Sequence, residues 1–358
     1  MTNFENTRSA TLSVSGVDLP MGTTTIVDVP VYTDLDGAEI SHTFHAVVGA
    51  RPGPVLGLHT AVHGDEWLTV EVARAIVQSL DPAEMSGAVL ALPVANPPAF
   101  AGRTRNTPDA SDSPDLNRAF GGVQTWITDQ LAQSIVDNLY ANIDAIIDFH
   151  LGIWGSAMGS VACGRDFTDP VINKQAFRLA RAFGLPYVRH GDFVTKFPGP
   201  KSGVGYAGEE LGIPGLISEV GGAGFNEETE ARWLATNVAG VHGVMREMGI
   251  LSGTPDLPDE VMVFDTAARV NPTNAGFVDP LYSAESMMSR EVQKGELLGR
   301  VFSPHTLEVI EELRSPVRGL LDMIPRPYPV RPGDWAYLVL DLDSPGNIRL
   351  SGDEMPSF

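Results

Sequence analysis

The chain has 358 residues, 43% of them apolar and 19% charged, the profile of a soluble globular protein with two domains or one large domain and an appendage. A formal charge of −21, with four lysines (Lys174, Lys196, Lys201, Lys294), repels phosphate backbones and anionic lipid and argues against nucleic-acid and membrane partners. No apolar run approaches the roughly 18 residues of a membrane span, no secretory leader is visible, and the single Cys163 excludes an intramolecular disulfide, so a cytoplasmic protein is expected.

Residues 1–50 hold short alternating runs (11–14, 25–29, 42–48) broken by turn residues, and read as edge strands leading into a main sheet. His42 and His45 fall on opposite faces of one such strand, which makes them structural. The apolar run from Val55 ends abruptly in His63-Gly64-Asp65-Glu66, and an amphipathic segment follows over 68–80. That reads as a buried strand, a tight turn at Gly64, and a helix beginning near Glu66. His59 sits deeper in the same strand, as a core or supporting residue.

A second apolar strand over 88–95 runs into Asn96 and two prolines. Residues 100–122, rich in Gly, Arg, Asp and Pro, read as a long loop, and loops of that length are functional or disordered. A helix over 125–142 delivers the chain to a strand over 145–150, which ends in His150. The stretch 151–165 is glycine-rich and reads as mobile. Next come a helix over 170–183, a strand over 187–189, a Gly/Pro-rich loop over 191–208, a strand over 215–220 and a helix over 227–248. Strands alternating with helices predict an α/β architecture with a largely parallel sheet, whose sites gather at the C-terminal strand ends. His63, His150 and Glu219 all fall at or just past such ends.

From residue 251 the texture changes. Short β runs alternate with turns over 260–342, with one helical turn around 283–290. The predicted organisation is an α/β domain over 1–250 and an all-β, barrel-like domain over 251–358. The turn-plus-strand units near 292–299 and 330–338 resemble those of biotinyl carrier domains. Only Lys294 sits in such a turn, so a structural domain is the expected reading.

Two histidines and one glutamate, His63, Glu66 and His150, make a ligand set for a catalytic zinc ion with a position left open. A lone His-x-x-Glu carries little weight, because a carboxylate also suits a helix start. Further elements strengthen it: Asp148 two residues before His150, Glu219 in Glu219-Val-Gly-Gly, Arg105, and the cluster Asp115-Leu-Asn-Arg118. Asp148 suits an outer role, orienting an imidazole.

Together these motifs, with Asn96-Pro and Thr104-Arg105, resemble the succinylglutamate desuccinylase/aspartoacylase family of zinc hydrolases, relatives of the zinc carboxypeptidases. The resemblance covers residues 50–250 well and the β-domain loosely. It implies a zinc-carboxypeptidase-like sheet flanked by helices, with one zinc held by His63, Glu66 and His150. Glu219 would shuttle the proton, Arg105 would stabilise the oxyanion, and Asn117 and Arg118 would grip a substrate carboxylate.

The expected activity is hydrolysis of a small N-acyl amino acid or related amide. The alternatives are carboxypeptidase action on peptides and an inactive ligand-binding protein of the same fold. No Gly-x-Ser-x-Gly elbow supports a serine hydrolase. The stretch 151–158 is more apolar than the family's better-known members, and Trp154, Met158, Phe193 and Phe197 are candidates for an apolar acyl pocket. Tyr282 is a candidate for a tyrosine donated by the C-terminal domain. The sequence leaves the oligomeric state open, a homo-oligomer included.

Overall fold

A computed structural model describes residues 12–152, 155–196, 198–351 and 354–356. Its centre is a ten-stranded mixed sheet. In spatial order the strands are Ile348–Ser351, Glu260–Phe264, Tyr187–Gly191, Val161–Gly164, Gly215–Ser218, Ala145–Phe149, Arg51–His59, Ser86–Leu92, Glu39–Val48 and Thr23–Thr33. The apolar runs form the middle: Ala145–Phe149 is buried throughout, as expected of a strand covered on both faces. It pairs in parallel with Arg51–His59 on one side and Gly215–Ser218 on the other. Antiparallel strands close both edges.

Helices Leu68–Ser79, Pro170–Ala182 and Glu227–Met248 cover one face, burying Val72, Ile76, Phe177, Val241 and Val244 against the sheet. Ile127–Asn138 and Gly203–Leu211 cover the other through Leu131, Ile135, Val204 and Ala207. Their ends follow ordinary capping chemistry. Asn226 accepts from Thr229 N before the longest helix, and Gly249, at φ 80°, ends it in the left-handed conformation. Among the described residues no helix is long and apolar enough to cross a membrane.

Two stretches differ from their sequence-based reading. Residues 151–165 contain the strands Ser156–Met158 and Val161–Gly164, the second buried inside the main sheet. Three or four residues are too few to show a period, so their glycine neighbours dominate the reading. Residues 191–208 run into the helix Gly203–Leu211, which Ser202 caps by accepting from Gly205 N. Three glycines within it mask the helical pattern.

The C-terminal part forms two further antiparallel sheets. One contains Ala267–Val270, Tyr337–Asp341, Gly319–Pro325 and Glu291–Val292; the other contains Val309–Arg314, Leu297–Phe302, Gly276–Pro280 and Tyr328–Val330. Val278, Leu298, Val301, Leu321 and Val339 share a core cluster with residues of both. The expected helical turn is Ala284–Met287. The parts interleave: Glu260–Phe264 and Ile348–Ser351 extend the main sheet, while Ser156–Met158 pairs with Gly319–Pro325.

His42 is fully buried between Ser134 Oγ and the Ala95 carbonyl, each at 3.0 Å, and desolvation pulls its pKa down to about 4. In the unfolded chain it titrates near 6.5. Between those values the unfolded state binds a proton that the folded state refuses. Stability therefore falls as pH drops from 6.5 towards 4, by up to about 3 kcal/mol from this group. We expect the stability difference between the parent and His42→Gln, measured by urea unfolding, to shrink over that interval. A difference that stays flat with pH would remove His42 as its source.

Candidate functional site

The turn after the Arg51–His59 strand is pinned at both ends by one hydroxyl. Thr69 Oγ1 accepts from Ala61 N at 3.0 Å and donates to the Glu66 carbonyl at 2.8 Å. Between them Gly64 N donates to the Thr104 carbonyl, and a methyl at Gly64 would lie 2.0 Å from the Ala99 carbonyl. Only glycine lets the turn come this close. The result is that His63 and Glu66, 1% and 2% exposed, face the same spot at the end of the sheet.

His150 reaches that spot from the neighbouring strand. His63 Nδ1 lies 2.8 Å from Glu66 Oε1, His150 Nδ1 lies 3.0 Å from Glu66 Oε2, and the two Nδ1 atoms are 3.1 Å apart. Their ligand atoms all lie within 4.8 Å of one another, so the three buried residues can hold a metal ion. The far side of each ring supports the same reading: His63 Nε2 is 3.0 Å from Asp115 Oδ1, and His150 Nε2 is 3.1 Å from Asp148 Oδ2. A carboxylate behind the distal nitrogen is the usual way of fixing a ligating imidazole's tautomer.

The charges in this cluster are strongly coupled. Burial would raise Glu66, but His63 and His150 bring its pKa down to about 2. Burial would likewise raise Asp148, yet His150 and His59 hold it well below the carboxylate range. His59 Nε2 sits 2.7 Å from Asp148 Oδ1, in the supporting position its sequence place suggested. Desolvation disfavours a proton on His150; Asp148 and Glu66 outweigh it and hold its pKa well above the ordinary value.

The long polar segment folds onto this cluster. Asn96 accepts from Ala99 N to cap a short helix, Pro97–Gly102, and donates to Thr107. The chain then brings Arg105 to within 3.4 Å of Glu66 Oε1 and 3.5 Å of Asp115 Oδ2. Asp115 also accepts from Asn117 N, starting the single turn Leu116–Arg118. Asn117 Oδ1 accepts from Gly203 N, and its Nδ2 lies 3.1 Å from His150 Nε2. Arg118 donates to the Asn117 carbonyl and lines the cavity.

Glu219 follows the Gly215–Ser218 strand. The Gly221–Gly222 pair after it lets Ser156–Met158 pack close, since a methyl at Gly222 would lie 2.4 Å from the Ser156 carbonyl. A cavity of about 1020 Å³ is lined by all seven predicted site residues: His63, Glu66, Arg105, Asn117, Arg118, His150 and Glu219.

Met158 and Phe193 also line this cavity. Trp154 and Phe197 lie outside the described residues. Tyr282 is not among the lining residues; its hydroxyl donates to Glu296 Oε1 at 2.5 Å, beneath the Arg290 guanidinium. Sequence reasoning overlooked the wall contributed by Arg165, Arg189, Asp265, Arg269 and Trp335. No motif marks those residues, and only the tertiary fold brings them to the cavity.

Fold and site define an α/β protein with a two-histidine, one-carboxylate candidate metal site at its strand ends. A family model of the succinylglutamate desuccinylase/aspartoacylase catalytic domain matches residues 52–246, more than half the chain, and the chain belongs to that family of deacylases. It is 24% identical over 303 residues to an N-alpha-acetyl-L-2,4-diaminobutyric acid deacetylase of Halomonas elongata, covering 83% of this chain and 84% of that one. The product-bound ectoine utilization protein EutE (DoeB) of Ruegeria pomeroyi superposes with a TM-score of 0.76 at 23% identity, over 93% of this chain and 99% of its own. A succinylglutamate desuccinylase/aspartoacylase of Rhodobacter sphaeroides gives 0.74 at 23%, covering 89% and 95%. At these identities the structural likeness speaks for the fold.

The geometry sets an order of metal affinities. His150→Ala should lose the ion, and Asp148→Asn should keep it with affinity lowered roughly 10–100-fold. Chelator competition followed by elemental analysis measures both. Equal metal retention by parent and His150→Ala would take His150 out of the ligand set.

Proposed function

We propose that the chain is a zinc-dependent deacylase that hydrolyses the amide bond of an N-acyl amino acid or related small amide, yielding a carboxylic acid and an amine. The observation that carries this reading is the convergence of His63, Glu66 and His150 at one end of a cavity that Glu219 also lines. Two imidazoles and a carboxylate suit Zn²⁺. When bound, zinc acidifies water and polarises a carbonyl oxygen.

The chain's own residues do the rest. Glu219 takes the proton of the attacking water and passes it to the leaving nitrogen. Burial raises its pKa above the ordinary value, against the opposing pull of His150 and Arg189, which brings its basicity closer to a neutral working pH. Arg105, beside Glu66, meets the oxygen on which negative charge develops. Arg118 takes the substrate carboxylate, with its planar fork suited to that group, and Asn117 shares that wall beside His150.

The proposed division of labour gives residues 1–250 the metal centre and residues 251–358 the outer wall of the cavity. Asp265, Thr266, Arg269 and Trp335 narrow the approach, and Arg269 stacks 4.1 Å over the Trp335 ring. The volume is at the upper end for a small-molecule site. The Halomonas elongata deacetylase, similar over most of this chain, is named for a small N-acyl compound, which favours that class over peptides. Buried Cys163, its thiol pushed up to about 12, is inert and suits a reducing cytoplasm.

The direct test is a panel of N-acetyl, N-succinyl and longer N-acyl amino acids with zinc-loaded protein, read as release of free acid. Release of C-terminal residues from peptides instead would mark a carboxypeptidase. Zinc binding without turnover of either would mark a ligand-binding protein of this fold. Glu219→Gln should keep its zinc and lose kcat by roughly 10²–10⁴-fold. Because Glu219 accepts a proton only as the carboxylate, kcat/KM should fall as pH drops through its raised pKa. Burial pushes that limb up while a bound cation would pull it down, so its position is not diagnostic; an acid limb that persists unchanged in the residual activity of Glu219→Gln would argue against Glu219 as the base.

A further inference from the structure

Across the cavity the Glu219 carboxylate meets Arg189, whose Nη2 lies 3.8 Å from Glu219 Oε1. Arg189 stands on the Tyr187–Gly191 strand and is held from behind. Its Nε–H donates to Ser160 Oγ at 2.6 Å and lies 3.2 Å from Asp322 Oδ2. Ser160 donates its hydroxyl to the same Asp322 oxygen at 2.9 Å, and its carbonyl accepts from Glu219 N at 3.0 Å. Both the backbone and the side chain of Glu219 are therefore tied to one unit of Ser160, Arg189 and Asp322.

Asp322 is fully buried, and it belongs to Gly319–Pro325 in a C-terminal sheet. Leu321 pairs with Val339, but Met323 pairs with Leu338, so the register shifts across Asp322. An irregularity of this kind re-aims a side chain. The same strand is stitched to the segment after His150: Met323, Ile324 and Pro325 pair with Met158, Ala157 and Ser156, and Gly159 N donates to the Asp322 carbonyl. A carboxylate with no access to water is unfavourable unless a cation and hydrogen bonds offset its desolvation, and an apolar side chain would serve packing alone as well or better.

We propose that Asp322 is a positioning residue for hydrolysis: it locks the Arg189 guanidinium, which in turn holds the Glu219 carboxylate in place at the cavity. The inference rests on reading Glu219 as the proton acceptor. The charged groups acting on Glu219 fit this arrangement, with His150 and Arg189 stabilising its charge and Glu66 and Asp322 opposing it. The C-terminal part thus reaches the reacting end of the site through one buried carboxylate.

Two variants test the link, Asp322→Asn, which keeps the side chain's shape, and Ser160→Ala, which leaves Asp322 in place. Each should lower kcat roughly 10–100-fold while KM and bound zinc stay near parent values. Unchanged kcat in both would overturn the proposal. So would a rise in KM with kcat retained, because Arg189 would then be holding substrate. Crystal structures of the parent and Asp322→Asn supply a readout without turnover: Arg189 should leave Ser160 and the Glu219 carboxylate should shift. If Glu219 superimposes on its parent position, the inference fails. A parent that hydrolyses no amide removes the deacylase reading, and the crystal structures still decide the role of Asp322.

Discussion

Two buried imidazole nitrogens, His63 Nδ1 and His150 Nδ1, lie 3.1 Å apart, with a Glu66 oxygen beside each. Two neutral nitrogens at that distance repel through their lone pairs unless something positive lies between them. A proton on His150 can serve, and Asp148 and Glu66 favour it by holding that ring's pKa above the ordinary value. A divalent cation held there would satisfy both rings and the carboxylate at once and take that proton's place, so metal binding and protonation would compete for the same atoms. Glu66, Asp115 and Asp148 gather around one spot and are tolerable there because the ring nitrogens face them.

The sheet's connectivity makes this concentration possible. His63, His150 and Glu219 are far apart along the chain, yet their strands are neighbours: His59 pairs with Asp148, and Phe149 with Ser218. Adjacent strands lie about 4.8 Å apart, so residues just past their ends converge without long side chains having to reach. The loops then supply what the strand ends cannot. Asn96 caps the helix that aims Arg105, and Asp115 both starts the Leu116–Arg118 turn and backs His63. Asp115 is a backbone cap and an imidazole support in one group, which ties the local fold of the loop to the candidate metal site.

The sequence reveals this region well because short-range rules govern it. A strand ending in His63-Gly64-Asp65-Glu66 needs glycine for a physical reason, the close approach of the Ala99 carbonyl, and the helix that follows keeps its amphipathic period. The bounds of helix 227–248 are legible to the residue. What escapes is whatever depends on distant partners. Val161–Gly164 is a strand because Gly215–Ser218 and Tyr187–Gly191 flank it, and its own four residues carry no period. Asp322 looks like any polar residue in a β run; its burial and the register shift beside it appear only in the folded structure. Asn117 is legible as a site residue, but its bond to Gly203 N is invisible until the unrecognised helix at Gly203–Leu211 is known.

The same distinction applies to charge. A chain carrying −21 presents an anionic exterior to any approaching carboxylate. The cavity departs from that average: Arg105, Arg118, Arg165, Arg189, Lys196 and Arg269 line it against Glu66, Asp115, Asp166, Asp192, Glu219 and Asp265, six of each sign. A divalent cation bound there would tip that balance positive. The cavity then stands out as a positive focus on a negative molecule, and low-dielectric walls strengthen such a focus. An N-acyl amino acid, which keeps its carboxylate and has no free amine until it is cleaved, suits that field. Hydrolysis of such an amide would leave an amino acid that gains an ammonium, which the arginine-lined wall disfavours, and an acid whose new carboxylate the same field would hold.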